Sequence, residues 1–212
     1  MHVKMERDNS GMLATAGDPR RDNILREARR HFMAEGYSAT RIEPIARAAA
    51  VSTATLYGWF PSKTVLFAAV IEDAAADFAT LMEGVRCDEG AAREQLTRFA
   101  RAYANFMGDP FVRSVFRLVM AERPRFRETA ISFFERGRAD FGAPLIASLK
   151  TLSDRGELKI AKPSWAAGQM MGMIEHPVFF MPLVTGDEMQ TARSPDAIAD
   201  DAVETFMGRY GA

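Results

Sequence analysis

The sequence has very little cysteine and histidine, which limits the chemistry that it can support. Cys87 is the only cysteine, so no disulfide can form within the chain, as is typical of the reducing cytoplasm, where we expect this protein. Gly-rich phosphate loops and the G-x-S-x-G and H-E-x-x-H motifs are absent. His2, His31 and His176 leave few candidates for a metal or nucleophile site. We therefore expect no catalytic residues, no metal and no cofactor in a chain that is not an enzyme.

Long apolar runs and strong net charge are also missing. No segment approaches the run of about 20 uncharged apolar residues that spans a bilayer. Residues 1–19 are polar and lack an apolar stretch with a cleavage site, so we expect a disordered tail and no secretion signal. The net charge is −1, but residues 1–66 carry ten Lys and Arg against seven Asp and Glu. This modestly basic N-terminal part is a weak indication that it meets phosphates.

Helical periodicity is abundant. Apolar residues recur every three to four positions in most of the chain, and no alternating strand pattern with turn signals is present. This periodicity predicts an all-α fold, with Pro144, Pro177 and Pro182 bending or ending their helices. Predicted helix starts and stops are a capping box of Thr40 with Glu43, the N-caps Ser52 or Thr53, Ser62 and Ser194, and the C-caps Gly36 and Gly156.

Residues 36–67 predict a helix-turn-helix. Two short helices, at about 41–49 and 52–60, are separated by a tight turn, which is the geometry of this DNA-binding motif. In the second helix Leu56 and Phe60 should face the core. The outward positions carry mostly small side chains, which allow a helix to enter a major groove: Thr53, Ala54, Thr55, Tyr57 and Gly58.

The same stretch resembles a known family. The run V-S-x-x-T-L-Y-x-W-F-x-S-K-x-x-L-F, from Val51 to Phe67, is similar to the DNA-binding domain of TetR regulators. Upstream, A-x-x-x-F-x-x-x-G-Y and T-x-x-x-x-I-A match as well, so the resemblance covers about residues 20–70. It implies a three-helix helix-turn-helix domain at residues 20–66 and a larger helical ligand-binding and dimerisation domain at residues 67–212.

The resemblance also implies a function and residue roles. It implies a homodimeric repressor that a small apolar ligand releases from a palindromic operator. Two departures are Ala50, at the turn position that usually holds glycine, and Trp59, where the family more often has His or Tyr. From the residues alone, Tyr57 could instead be a core tyrosine and Lys63 an ordinary surface lysine. The DNA-binding residues carried over are Thr40, Thr53, Thr55, Tyr57 and Lys63.

The larger C-terminal part is rich in Phe and Met. Core packing explains most of these residues, but Phe and Met also line adaptable pockets for apolar ligands. His176, next to Glu175, is either the polar group of such a pocket or a residue of a helix end or interface. The predicted ligand-binding residues are Phe99, Tyr103, Phe106, Phe116, Met120, Phe134, Met173 and His176.

Two glycines near the end of the chain predict a close helix contact. Gly168 and Gly172 lie four residues apart on one helical face, which allows either a partner subunit's helix or another helix of this chain to approach. We expect a homodimer held by residues 164–210. A second hypothesis is a DNA-bound structural or partner-binding protein, whose C-terminal part binds a protein. An enclosed apolar cavity would favour the sensor, and an exposed apolar groove would favour the partner protein.

Overall fold

The fold is helical throughout the described part of the chain. The computed structural model describes residues 18–83, 90–186, 188 and 192–212, so the predicted tail lies outside the described residues except for Asp18 and Pro19. Apart from one isolated bridge between Leu158 and Gly211, these residues form no extended pairing, which confirms the all-α prediction. The helices are α1 (Pro19–Ala39), α2 (Ile42–Ala48), α3 (Thr53–Trp59), α4 (Lys63–Glu83), α5 (Ala92–Gly108), α6 (Pro110–Glu122), α7 (Arg127–Gly137), α8 (Ala143–Asp154), α9 (Pro163–Glu175), α10 (Met181–Thr185) and α11 (Pro195–Tyr210).

The chain forms two compact units, Met1–Val70 and Ile71–Ala212. The division falls inside α4, about one turn after the boundary that the sequence predicts at residue 66. None of the described helices is long and apolar enough to cross a membrane.

Side-chain caps fix several helix starts at the predicted residues. The Ser52 hydroxyl accepts a hydrogen bond from the Thr55 amide at 3.0 Å, and Ser62 accepts one from Val65 at 3.2 Å. Ser194 likewise caps α11 by accepting from the Ala197 amide at 3.2 Å. Each hydroxyl satisfies one of the amides that have no partner in the first turn of a helix. The caps Ser62 and Ser194 are therefore confirmed, and Ser52 rather than Thr53 caps α3.

The capping box predicted at Thr40 is wrong. Gly36 breaks the helical dihedrals with φ 72° and ψ 167°, but another turn follows, and Thr40 is the C-cap of α1 rather than the N-cap of α2. Its amide and its hydroxyl both donate to the Gly36 carbonyl, at 3.3 Å and 2.7 Å. Thr40 is buried, and α2 starts from Arg41, whose side chain makes no cap hydrogen bond. The Thr40 hydroxyl satisfies one of the carbonyls at the end of α1, which have no amide partner further along the helix.

The turn between α2 and α3 places Ala50 in the left-handed region, with φ 55°. The Val51 amide donates to the Ala46 carbonyl at 3.0 Å, and the Ala50 amide donates to the Arg47 carbonyl at 3.1 Å. These two bonds form a Schellman motif, whose left-handed position normally holds glycine. A Cβ at this position costs on the order of 1 kcal/mol.

Replacing Ala50 with glycine is expected to raise the free energy of unfolding by about 0.5–1 kcal/mol, because glycine adopts positive φ without a Cβ clash. Chemical denaturation measures the change. The matched control is Ala48→Gly at the exposed end of α2, where the backbone is helical. It should instead lower the free energy of unfolding by about 0.5–1 kcal/mol. An Ala50 variant that is destabilised as much as the control would contradict the strain at this turn.

In the C-terminal unit, polar contacts join α5 to α11. Arg101 donates two hydrogen bonds to the Asp200 carboxylate, at 2.8 Å and 2.7 Å, in a bidentate pair. The hydrogen bond from Arg101 lowers the pKa of Asp200. Asn105 donates to Asp196 at 2.7 Å one turn further along. These groups are exposed, so the contacts mainly fix the register of the two helices while apolar residues supply the packing.

Two π-helical turns accommodate the bends predicted at prolines. One turn, Arg138–Gly142, lies between α7 and α8, and the other, His176–Phe180, lies between α9 and α10. The carbonyl of Val178 would need the amide of residue 182 in an α-helix, but Pro182 has no amide hydrogen. Buried Arg113 donates to that carbonyl at 3.5 Å and also to the Gly108 carbonyl. Arg113 thus satisfies backbone acceptors at two helix ends.

Candidate nucleic-acid interface and aromatic cluster

The two faces of α3 differ in exposure. Leu56 and the C-cap residue Phe60 are buried against the N-terminal unit, as predicted. Thr53 is exposed, Thr55 is half-buried, and 46% of Tyr57 is exposed. The alternative of a core tyrosine at position 57 is therefore wrong. An anchored helix with short polar side chains on its outer face has the shape that enters a major groove.

The other two predicted DNA-binding residues make contacts within the N-terminal unit. Thr40 is buried and bonded to Gly36. The Lys63 ammonium lies 4.5 Å from the centroid of the Tyr37 ring and donates to the Ser38 carbonyl at 3.3 Å. Lys63 therefore joins the start of α4 to the end of α1. It remains half-buried rather than enclosed, at the N-terminus of a helix.

Arginines at the start of α1 lie beside the end of α3. The Arg20 guanidinium is 5.9 Å from the Trp59 ring centroid, and that of Arg21 is 5.6 Å from the Phe60 ring centroid. These distances are typical of cation–π contacts. Positive charge is thereby placed next to the C-terminal end of α3.

Aromatic rings form a cluster in the C-terminal unit, which we call the aromatic cluster. Phe78, near the end of α4, lies at its centre, with its ring centroid 5.1 Å from Phe106 and 6.4 Å from Phe116. Phe106 in turn lies 5.0 Å from Phe141, which is 6.4 Å from Tyr103. The members are Phe78, Phe99, Tyr103, Phe106, Phe111, Phe116, Phe133, Phe141 and Phe179.

The aromatic cluster contains four of the eight predicted ligand-binding residues. They are Phe99, Tyr103, Phe106 and Phe116. The other four lie elsewhere: 65% of Phe134 and 49% of Met120 are exposed, and Met173 is half-buried. His176 is exposed and stacks on Phe180, with ring centroids 5.8 Å apart. The structure therefore brings the α5 and α6 rings together and does not join His176 to them.

Sequence reasoning missed the other five members of the cluster, which are Phe78, Phe111, Phe133, Phe141 and Phe179. Phe78 falls on the apolar face of α4 at i, i+4 spacing with Ala74, which indicates burial but not its neighbours. Phe141 and Phe179 lie in the two π-helical turns. Such turns are frequent at functional sites, but helical periodicity does not reveal them.

A polar pair lies at one edge of the aromatic cluster. Tyr103 is 3% exposed, and its hydroxyl donates to Oε1 of Glu175, the last residue of α9. Burial, then the negative charge of Glu175 and the hydrogen bond to it, raise the pKa of Tyr103 well above its usual value. The tyrosine therefore stays protonated and acts as the donor.

The outer face of α9 is open and mostly apolar, with Gln169 as an exposed polar residue that accepts a hydrogen bond from Tyr210. Gly168 and Gly172 are exposed, and a Cβ added to either would meet no other part of the described chain within 4 Å. The alternative of a glycine pair packed against another described helix of the same chain is therefore wrong. Trp165, 67% exposed, lies on the same face, and Phe180 and Val184 are exposed further along the chain. Large exposed apolar side chains beside small ones are typical of an interaction surface.

An N-terminal helix-turn-helix joined to a helical unit with an aromatic interior defines a class of DNA-binding regulators. Residues 24–70 match the bacterial regulatory proteins of the tetR family, and residues 94–212 match the AefR-like transcriptional repressor C-terminal domain. The second match covers more than half of the chain. The chain belongs to the TetR family, whose members are transcriptional regulators and not enzymes.

Individual relatives agree with this family. The chain is 33% identical over 109 residues to the HTH-type transcriptional repressor NicS of Pseudomonas putida, a match that covers 51% of this chain and half the length of that repressor. A protein described as a TetR-family transcriptional regulator from Mesorhizobium loti superimposes with a TM-score of 0.80 and 25% identity, covering 94% of this chain and 100% of the other. The flavonoid-responsive regulator FrrA has a TM-score of 0.68 and 27% identity, covering 91% and 97%.

Proposed function

We propose that this chain represses transcription in the bacterial cytoplasm by binding a palindromic operator as a homodimer, and that a small apolar or amphipathic ligand releases it. The observation that carries the proposal is the division of α3 into a buried anchor and an exposed polar face. Dimers of this motif place two such helices in major grooves one DNA turn, roughly 34 Å, apart. The operator is then an inverted repeat.

Each predicted residue has a role in this proposal that fits its position. Thr53 and Thr55 present short side chains to base edges or phosphates, and the exposed Tyr57 hydroxyl reaches a phosphate. Lys63 gives up its contact with Ser38 for a phosphate at the N-terminus of α4, where the helix dipole favours an anion. Thr40, whose amide is already bonded, contributes by positioning the start of α2.

Replacing Lys63 with alanine is expected to weaken binding to operator and non-operator DNA by the same factor. The slope of log K against log salt should shrink by about one unit, because a phosphate contact releases one counterion and carries no base information. Fluorescence anisotropy at several salt concentrations measures both quantities.

Two controls separate the phosphate contact from the structural contact that Lys63 makes with Ser38. Lys63→Arg keeps the charge and should keep the salt slope, and Lys150→Ala removes an exposed charge from the C-terminal unit and should change nothing. Thermal unfolding of each variant shows whether the N-terminal unit stays folded. A loss confined to one base position would instead make Lys63 a base-reading residue.

The dimer is proposed to form through the outer face of α9, together with α11. The open glycine pair allows a second copy of α9 to approach closely, and the exposed Trp165 and Val184 would be covered by it. A two-fold interface of this kind matches the symmetry of an inverted repeat.

The ligand is proposed to bind at the aromatic cluster. The cluster supplies apolar surface from four α-helices and both π-helical turns, and FrrA, at 27% identity, is named as a flavonoid-responsive regulator. Because Phe78 of the cluster lies on α4, a ligand in the cluster is connected through Phe106 and Phe78 to the helix whose first turn carries Lys63. By linkage, operator DNA must weaken the ligand by the factor by which the ligand weakens DNA, typically about 5–150-fold.

A second candidate function is a DNA-bound protein whose C-terminal unit binds another protein. Exposed apolar side chains on α6 and α7 favour it: Met120, Ile131 and Phe134. Release of DNA from the purified protein by a small molecule alone would contradict this second candidate.

A further inference from the structure

Glu175 carries a negative charge that the described chain does not neutralise. None of the ion pairs formed by the described residues includes it, and its hydrogen bond comes from an uncharged tyrosine. The carboxylate is half-buried at the end of α9. Partly burying a charge is costly unless an opposite charge or several hydrogen bonds accompany it.

The surroundings of this carboxylate are aromatic. The Tyr103 ring that holds it stacks on Phe99, with centroids 5.5 Å apart and planes 13° apart. The Phe141 ring centroid lies 6.4 Å from that of Tyr103, and the Phe106 centroid lies 5.0 Å from that of Phe141. Ring faces carry negative electrostatic potential, so they attract cations, and a half-buried carboxylate adds to that attraction.

The charged side chains nearby are engaged with other groups. Buried Arg113 donates to the Gly108 and Val178 carbonyls. His176 follows Glu175 but is exposed and stacks on Phe180. Arg101, two residues from Tyr103, is held in its bidentate pair with Asp200. The Tyr103–Glu175 pair itself therefore carries one negative charge beside the rings.

We propose that the Tyr103–Glu175 pair and its neighbouring rings bind an organic cation, an amine or quaternary ammonium group that carries an aryl or alkyl body. The inference rests on the proposed ligand response and narrows its ligand class. The cation pairs with the Glu175 carboxylate, and its apolar body packs on Phe99 and Phe141. Tyr103 is a positioning residue, because its hydroxyl holds the carboxylate in place.

The test compares two probes of the same shape on the purified full-length protein. Benzyltrimethylammonium carries a positive charge, and neopentylbenzene is its uncharged isostere. Isothermal titration should show that Glu175→Gln reduces the affinity for the cation by roughly tenfold or more, while the affinity for the isostere stays unchanged. Glutamine keeps the acceptor for Tyr103, so the helix packing is preserved. Tyr103→Phe keeps the charge and should retain cation binding within about threefold.

Two results would overturn the proposal. If the pair only ties α5 to α9, both variants lower the melting temperature and neither changes the binding of any probe, which overturns the proposal. Binding of a neutral phenol that depends on Glu175, without binding of the cation, also overturns it. Operator titrations separate this inference from the proposed function. A cation that binds through Glu175 without changing operator affinity contradicts the ligand response but leaves the cation site standing.

Discussion

Replacing Gly172 with arginine is expected to convert the protein into a monomer and to weaken operator binding by at least about 100-fold. The arginine side chain would extend from the open face of α9, where no described part of the chain lies within 4 Å of the added Cβ. The fold of the protomer should survive for the same reason. A second α9 could no longer approach, and a monomer binds one half-site without the high effective concentration that the second provides.

Light scattering at micromolar concentration measures the assembly, and anisotropy with an inverted repeat measures DNA binding. The matched control is Ala147→Arg on the exposed side of α8, which adds the same side chain to the same unit and should change neither quantity. A dimeric Gly172 variant would show that the interface lies elsewhere. A monomeric variant with unchanged operator affinity would contradict the requirement for two half-sites.

Local signals in the sequence were sufficient to predict most helix ends and the turn in the N-terminal unit. Ser52 and Ser62 cap their helices as predicted, because a cap needs only a hydroxyl and an amide three residues later. Ala50 was named as a departure at a turn position that usually holds glycine, and its φ of 55° is the conformation that favours glycine. The N-cap prediction for Thr40 was wrong, because one more helical turn follows the kink at Gly36. The Thr40 hydroxyl therefore bonds to the Gly36 carbonyl at the end of α1.

The aromatic cluster depended on contacts that local patterns do not determine. Tyr103 and Glu175 are 72 residues apart, so their hydrogen bond follows from the packing of α5 against α9. Composition indicated that Phe and Met would fill the C-terminal unit, but it could not separate buried Phe106 from exposed Phe134. The prolines predicted that the helices bend, but not that the bends are π-helical. A proline has no amide hydrogen for the α-helical bond, and a wider turn accommodates its absence.

Truncating Phe78 to alanine is expected to lower the free energy of unfolding by about 3–5 kcal/mol, the usual cost of removing a buried phenyl ring. Phe78 is 3% exposed and has four aromatic neighbours with ring centroids between 5.1 Å and 6.4 Å away. Chemical denaturation measures the loss. Phe134→Ala is the control, because its ring is largely exposed, and it should change stability by no more than about 0.5 kcal/mol.

The size of this loss also distinguishes a packed core from an existing cavity around Phe78. In a packed cluster the variant acquires a dry apolar cavity, which a benzene-sized probe should fill and thereby restore part of the stability. If the rings already line a hollow, fewer contacts are lost and the cost falls to about 1 kcal/mol or less. The short ring distances favour the packed case. A ligand would then bind toward Tyr103 and Glu175, where the cluster meets a charged group, and would reach α4 through Phe141 and Phe106.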